Sequence, residues 1–439
     1  MEARVIGQSE RRQRVRTLAL PIIGAMVSQS ILNLVDTAMV GQLGDAALAA
    51  VGLGGLVVFS CQAMILGFSR AVQTIASRRK GEGRLTESAL SLNAALLIIL
   101  IASPPLAALF YLAAPLFYPL LNGDPEVLML AIPYFQVRIT ATLFVGMNYA
   151  FRGYWNAIDR SRLYLGTLLV IHSSNIVLNY MLIFGHFGAP ALGVTGAAIA
   201  SALAVALGSC SYFLLALRYA RPYGFLRRLP PRSEIRTLIS QAIPNGINDL
   251  SFLAGFTTLY WIIGQVGTTE LAAASVILNI TLIAVLPGQG FALAATTLVS
   301  QALGQADPDE ARRWVSAINR MTLFWLFLLG LPLWIAPYWV LKPFIIDPGT
   351  LAVASLPLRI VGVTVVLEGI KMVYMHALVG AGDTHRVTRT GLAMQWLFAL
   401  PCCWLIGPVF GFGLLGIWVV QEAYRLLQLT VYLRLWSNA

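Results

Sequence analysis

Long apolar runs, separated by short polar segments, follow one another along the whole chain of 439 residues. A helical membrane span takes about 20 mostly apolar residues, and about twelve runs reach that length. They lie near residues 15–40, 47–75, 88–121, 126–154, 163–186, 190–218, 236–265, 271–301, 314–345, 350–381, 387–409 and 413–436. The runs are continuous, unlike the short alternating strands of an outer-membrane barrel. Since only helices and closed barrels span lipid, the pattern predicts an all-α polytopic membrane protein.

Composition and charge agree with this class of protein. Apolar residues make up 58% of the chain and charged residues 11%, and the formal net charge is +11. The basic residues gather in alternate loops, for example at 11–16, 78–84 and 218–236. This distribution follows the positive-inside rule, so it predicts a multi-pass protein of the cell inner (plasma) membrane with both termini cytoplasmic. We therefore attribute the excess of positive charge to membrane topology and not to nucleic-acid binding.

The sequence predicts neither cleavage of a signal peptide nor cross-linking by disulfides or zinc. The first apolar run continues into polar Asn33 and Asp36 without a cleavage site, so we expect the first helix to be retained. The four cysteines all fall within spans and lack metal-ligand spacing, which argues against disulfides and zinc sites. We expect no cofactor.

The two halves of the chain resemble each other at an offset of about 223 residues. "GQLGDAALAAVGL" from Gly41 aligns with "GQVGTTELAAASV" from Gly264, and Ser77 aligns with Ser300. Six helices per repeat would give both halves the same orientation, which is the parallel-repeat arrangement of some transporters. We predict an N-terminal lobe over 1–217, a cytoplasmic connector over 218–236 and a C-terminal lobe over 237–439. The prolines at 230 and 231 argue against one continuous helix through the connector.

A carboxylate, Asp36, lies inside the first predicted span. Charges within a bilayer are costly and rare, so they are functional candidates by default. Gln29, Asn33, Asp36 and Thr37 recur at helical spacing and predict one polar stripe. Pro21 lies earlier in the same run, where a proline favours a bend. Both a moving hinge and a static kink are consistent with it.

The fifth and sixth spans carry polar residues that we expect to converge on Asp36. His172, Asn175 and Asn179 share one face of the fifth span, and Thr195 begins the sixth. One carboxylate among neutral oxygen ligands can bind a hard cation such as sodium or take up a proton. The sequence leaves both ions open.

The second half has its own intramembrane carboxylates, at Asp249, Glu368 and Glu422. The repeat partner of Asp36 is Leu259, so the two halves differ chemically. Glu368 stands three residues before Lys371, close enough for an ion pair on one helix. A coupling role and a structural role are therefore both open for Glu368.

Several motifs together resemble the multidrug and toxic compound extrusion (MATE) family of secondary transporters. They are "VDTAMVGQLGDAALAAVGLG" from Val35, "NIVLNYMLIFGHFGAPALGVTGAAIASALA" from Asn175, "ATTLVSQALGQ" from Ala295 and "ALVGAGDTHR" from Ala377. The first lobe looks more like the DinF-type branch than the NorM-type. The resemblance implies two six-helix lobes around a cavity that opens alternately to each side. It also implies a monomer that exports organic cations and other amphipathic drugs against a proton or sodium gradient.

The resemblance also implies roles for individual residues. Family members build a cation-binding or protonation site from positions matching Asp36, Asn175, Asn179 and Thr195, although some relatives have aspartate at the position of Asn179. In relatives the proline matching Pro21 has been linked to bending of the first helix. Glu368 matches a coupling carboxylate of the NorM-type branch, while the glutamate of that branch in the seventh span is absent here.

Two other functions compete with this interpretation. A flippase for a lipid-linked oligosaccharide belongs to a related fold, but such proteins commonly have a more cationic cavity. A membrane enzyme would need paired aspartates for magnesium or a nucleophile with its base. The sequence has no DxxxD or GxSxG motif and its four histidines are scattered, so we do not expect an enzyme.

Overall fold

The computed structural model describes residues 7–438, and this part of the chain is helical with no β-strand. Short 3-10 turns lie at Leu85–Glu87, His186–Gly188 and Arg221–Tyr223, and π-helical turns at Met394–Ala399 and Leu405–Val409. In chain order the α-helices are α1 (Gln8–Gly41), α2 (Asp45–Gly81), α3 (Leu90–Leu121), α4 (Pro125–Thr140), α5 (Thr142–Ala157), α6 (Ser161–Phe184), α7 (Gly193–Tyr219), α8 (Arg232–Val266), α9 (Thr268–Gly304), α10 (Pro308–Ile335), α11 (Pro337–Leu341), α12 (Pro348–Ala381), α13 (Thr384–Ala393), α14 (Leu400–Trp404) and α15 (Gly413–Ser437).

The predicted all-α class with about twelve spans is confirmed. Nine helical segments of the described chain are long and apolar enough to cross a membrane, and α4 with α5 forms a tenth. The helices α8 and α15 supply the remaining two at comparable length, with 35 and 25 residues.

Three predicted spans are less regular than the sequence pattern indicated. The fourth bends by 51° between α4 and α5, where the Thr142 hydroxyl donates to the Ile139 carbonyl at 2.6 Å. Such side-chain bonds to the backbone compete with the helical ladder. The ninth span ends at Ile335, because Pro337 starts the separate helix α11. The eleventh contains the two π-helical turns, and the second of them includes Pro408.

The basic connector over residues 218–236 is interrupted, as its prolines predicted. Helix α7 ends at Tyr219 and α8 begins at Arg232, directly after Pro231. Between them the chain makes one 3-10 turn and a left-handed residue at Gly224. No single helix therefore runs through residues 218–236.

The described chain divides into two compact units. The N unit comprises residues 24–247, and the C unit comprises the residues up to 23 and those from 248 onward. The first part of α1 therefore belongs to the C unit and its second part to the N unit, and α8 is divided in the opposite sense. The predicted lobes over 1–217 and 237–439 do not include this exchange.

Buried ion pairs hold each exchanged segment in its unit. Within the C unit, Arg11 of α1 forms a bidentate pair with Glu310 of α10, both contacts at 2.6 Å. Within the N unit, Glu234 of α8 pairs with Arg79 of α2. Each of these pairs joins the first turns of its helix to another helix of the same unit.

Repeat-related residues make the same contact in both units. Ser77 donates to the carbonyl of Ala157 at 3.5 Å in the N unit. In the C unit, Ser300 donates to the carbonyl of Gly380 at 2.7 Å. Both bonds join residues 80 positions apart, so the polar positions shared by the two halves of the sequence have one structural role.

Candidate functional site

The polar stripe predicted on the first span lies on the second part of α1, within the N unit. Gln29, Asn33 and Thr37 are exposed on this helix, whereas Asp36 is half-buried. The Gln29 amide donates to the Asn33 side chain at 3.0 Å. The Asp36 side chain therefore faces the neighbouring helices and not the open surface.

Helix α6 binds Asp36 through a buried amide. Asn179 donates through Nδ2 to Asp36 Oδ1 at 2.7 Å and to Asn175 Oδ1 at 3.0 Å. Asn175 in turn donates to the hydroxyl of Ser201 on α7 at 3.1 Å. Asn175 and Asn179 are buried. One hydrogen-bonded chain, which we call the Asp36 chain, thus connects α1, α6 and α7.

The Asp36 chain contains an acceptor that no described group satisfies. Asn179 Oδ1 is buried and has no hydrogen-bond partner among residues 7–438. A buried polar atom without a partner is costly and calls for an explanation. The Nδ2 group of the same amide binds oxygens of both Asp36 and Asn175, so the polar atoms around Asn179 are mostly oxygens.

Asp36 is the one charged member of the Asp36 chain, and its partners Asn175, Asn179 and Ser201 are neutral. In the described part of the chain, no three His, Cys, Asp or Glu side chains cluster as metal ligands. Thr195 is half-buried at the start of α7, and within residues 7–438 no hydrogen bond joins it to the Asp36 chain. Of the four predicted residues, the structure therefore links three through hydrogen bonds.

His172 belongs to a second polar set on the same two helices. Its Nδ1 lies 2.6 Å from the Ser28 hydroxyl, and its Nε2 lies 3.2 Å from Gln29 Oε1. This set fixes α6 to α1 about two turns before Asp36. Sequence reasoning placed His172 and Gln29 near the site but missed Ser28 and Ser201, because small hydroxyl residues are common in membrane helices.

Arg138 is the other residue that sequence reasoning did not assign to the site. It lies in the last turn of α4, close enough to Asp36 for an electrostatic interaction. Its Nε is buried without a hydrogen-bond partner among the described residues. The N-unit site therefore holds a carboxylate and a guanidinium within electrostatic range of each other. The bend after α4 positions Arg138, and no sequence pattern predicted that bend.

The C-unit candidate Glu368 is part of a buried group of four charges on α12 and α15. Glu368 pairs with Lys371 at 2.8 Å, as the spacing predicted, and lies 3.6 Å from Arg425. Arg425 also pairs with Glu422 at 2.7 Å. Two carboxylates and two cations balance one another, so the group is neutral without a bound ion.

Two further candidates lie on α8 and in the first part of α1. Asp249 is half-buried on α8, a different helix from those that carry the Glu368 group. Pro21 is buried inside α1, and the helix continues through it from Gln8 to Gly41. The boundary between the two units follows at residues 23 and 24, soon after Pro21.

A duplicated bundle of membrane helices with a carboxylate held inside one span is the architecture of a secondary transporter. The family model MatE matches residues 21–181 and again 244–405. The chain therefore belongs to the MatE family. The two matched stretches begin 223 residues apart, the offset at which the halves of the sequence align.

Known proteins resemble the chain over nearly its whole length. It is 29% identical to "Probable multidrug resistance protein NorM" of Agrobacterium fabrum, covering 91% of this chain and 88% of the relative. The NorM protein of Rhizobium meliloti gives the same three figures. A crystal structure of a Vibrio cholerae MATE transporter variant superimposes with a TM-score of 0.90 at 19% identity, covering 98% of this chain and 97% of that one. Both relatives by sequence carry the NorM name, and the preference for the DinF-type branch stays a prediction.

Proposed function

We propose that the protein is a secondary active antiporter that exports organic cations and other amphipathic compounds by alternating access. The bond from Asn179 to Asp36, beside the unsatisfied Asn179 oxygen, carries the proposal. We further propose that a proton or sodium ion couples export through Asp36, that the protein works as a monomer in the inner membrane with both termini cytoplasmic, and that it is not an enzyme and needs no cofactor. The names of the sequence relatives support multidrug cargo.

The amide of Asn179 responds to the charge state of Asp36. An ionised carboxylate accepts a hydrogen bond, and the Nδ2 group of Asn179 faces Asp36 as a donor. A protonated Asp36 gains an O–H donor beside its remaining acceptor oxygen, and this donor would bond to the amide oxygen of Asn179 if the amide turned. That turn breaks the present bonds to Asp36 and Asn175. Ion occupancy at α1 thus changes the contacts of α6.

Arg138 links ion occupancy to the binding of cationic cargo. While Asp36 is ionised, its negative charge attracts an organic cation, and the nearby Arg138 offsets part of this attraction. A proton or sodium ion on Asp36 removes this attraction and leaves the guanidinium, which repels a cation. The coupling ion and the cargo would therefore compete for Asp36, and the ion's differential affinity for the two conformations would drive the cycle.

Reconstituted transport tests this proposal. Purified protein in liposomes should move a fluorescent organic cation such as ethidium when a proton or sodium gradient is imposed. Asp36→Asn should abolish gradient-driven movement, whereas Asp45→Asn, the same change at an exposed position, should retain it. Undiminished transport by Asp36→Asn would overturn the coupling role. Movement of a lipid-linked oligosaccharide without movement of the cation would favour the flippase instead.

A further inference from the structure

The C unit contains a cavity of about 590 Å³ between α10, α12 and α15, and neither Asp36 nor Glu368 is among its lining residues. Arg312 and Arg320 line one wall, with Asn319 between them. Tyr374 and Trp436 line the opposite walls. The cavity therefore combines guanidinium groups, uncharged donors and aromatic rings.

The position of the cavity along α10 matches the boundary of a bilayer. Its α10 wall extends from Arg312 to Leu323, a rise of about 16 Å. The first turns of the helix carry charges of both signs, with Asp309 and Glu310 before Arg312 and Arg313, and the helix is mostly apolar from Met321 onward. Trp436, near the end of α15, is of the residue type that favours the membrane interface. On the predicted topology the cavity would begin in the headgroup layer and end against the hydrocarbon.

Little in the protein neutralises the positive charge of this wall. Within residues 7–438 Arg320 has no carboxylate partner, and its side chain reaches only the Ser316 hydroxyl at 3.4 Å. Arg312 lies 3.6 Å from Asp309, whose side chain is 73% exposed. An exposed pair of this kind contributes little. Both guanidinium groups are thus available to an anion.

Toward the C-terminal end of α10, next to the cavity, the helix has a strip of exposed apolar side chains. Leu323 is 48% exposed, Phe324 60% and Phe327 55%. A soluble phosphate would contact only the basic end, whereas a lipid would use both the basic end and this strip. Charge and apolar surface are therefore arranged for an amphipathic anion.

We propose that this cavity binds the phosphate headgroup of an anionic glycerophospholipid whose acyl chains follow the exposed strip of α10. Arg312 and Arg320 would bind the phosphate oxygens, since guanidinium groups match phosphate geometry. On the proposed topology the lipid belongs to the cytoplasmic leaflet, where anionic lipids meet basic sites of membrane proteins. This site is separate from the proposed transport function and does not depend on it.

Native mass spectrometry of the full-length protein tests the site. The protein is equilibrated with phosphatidylglycerol and phosphatidylcholine of identical acyl chains. We expect the wild type to retain phosphatidylglycerol at least fivefold over phosphatidylcholine. The double variant Arg312→Gln/Arg320→Gln should lose this preference.

The control is Arg16→Gln/Arg313→Gln, which removes two positive charges from the same unit at exposed positions outside the cavity. It should keep the preference. Arg312→Lys/Arg320→Lys keeps the charge and should retain part of it, which separates lipid loss from misfolding. Equal retention by the wild type and the Gln double variant would overturn the proposal. Displacement of the lipid by an equal concentration of glycerol phosphate would also overturn it, since the cavity would then select free phosphate.

Discussion

Arg11 and Glu310 form a bidentate ion pair, with both N–O distances at 2.6 Å, although 299 residues separate them in the chain. The guanidinium also lies 5.0 Å from the ring centre of Trp314. The two side chains are only 7% and 12% exposed. This pair fixes the first turns of α1 in the C unit, while the same helix carries Asp36 in the N unit.

Loss of the Arg11 side chain should destabilise the C unit. Arg11→Gln leaves the Glu310 carboxylate buried with a weaker partner, which should lower the free energy of unfolding by about 3 kcal/mol. Thermal unfolding of the purified protein in detergent measures the effect. Arg12→Gln is the control, because Arg12 is exposed on the next position of α1. Equal unfolding temperatures for the two variants would contradict the role of the pair.

Asn179 should be required for gradient-driven transport. Asn179→Ala removes the donor to Asp36 and the link to Asn175, so we expect transport as low as in Asp36→Asn. The liposome assay with ethidium measures it. Asn148→Ala serves as control, because Asn148 binds the Val205 carbonyl in the same unit outside the Asp36 chain. If Asn179→Ala transports as well as the control, the amide has no role in coupling.

Because the four charges around Glu368 balance one another, we expect the stability of the C unit to depend strongly on each of them. Lys371→Met or Glu368→Gln alone leaves one uncompensated charge and should cost about 3 kcal/mol. The double variant restores neutrality, so its loss should be smaller than the sum of the two single losses. Unfolding measurements on the four proteins complete the double-mutant cycle. Simple additivity would show that Glu368 and Lys371 do not depend on each other.

Gly153 should tolerate no side chain, because a Cβ atom there would overlap the carbonyl oxygen of Ser69 on α2. Gly153→Ala should lower the stability of the N unit by about 1–3 kcal/mol. Gly166→Ala on α6 has open space around the added methyl group. It should be neutral or stabilising by about 0.5–1 kcal/mol, since alanine is the better helix former. Thermal unfolding of both variants distinguishes the steric effect from helix propensity, and a Gly153→Ala protein as stable as wild type would rule out the close packing.

Part of the candidate site could be predicted from sequence periodicity. Asn175 and Asn179 lie four residues apart, so they share a helix face and bond to each other. The same rule predicted the ion pair of Glu368 with Lys371. Ser28, Ser201 and Arg138 were not assigned to the site, because their contacts depend on how three or four helices pack and on the bend after α4.

The sequence by itself determined the helical membrane class, the duplication and the unusual position of Asp36. These three features can be recognised from one sequence alone. They follow from the length of hydrophobic runs, the spacing of the repeat and the cost of a charge in lipid. Only the tertiary structure decided which amide binds Asp36, that Glu368 is already neutralised, and that the first turns of α1 and α8 join opposite units. The first and last of these outcomes depend on side chains more than a hundred residues apart, for example Arg11 with Glu310. The neutralisation of Glu368 is completed by Arg425 on another helix. Such contacts between helices follow from packing rather than from periodicity.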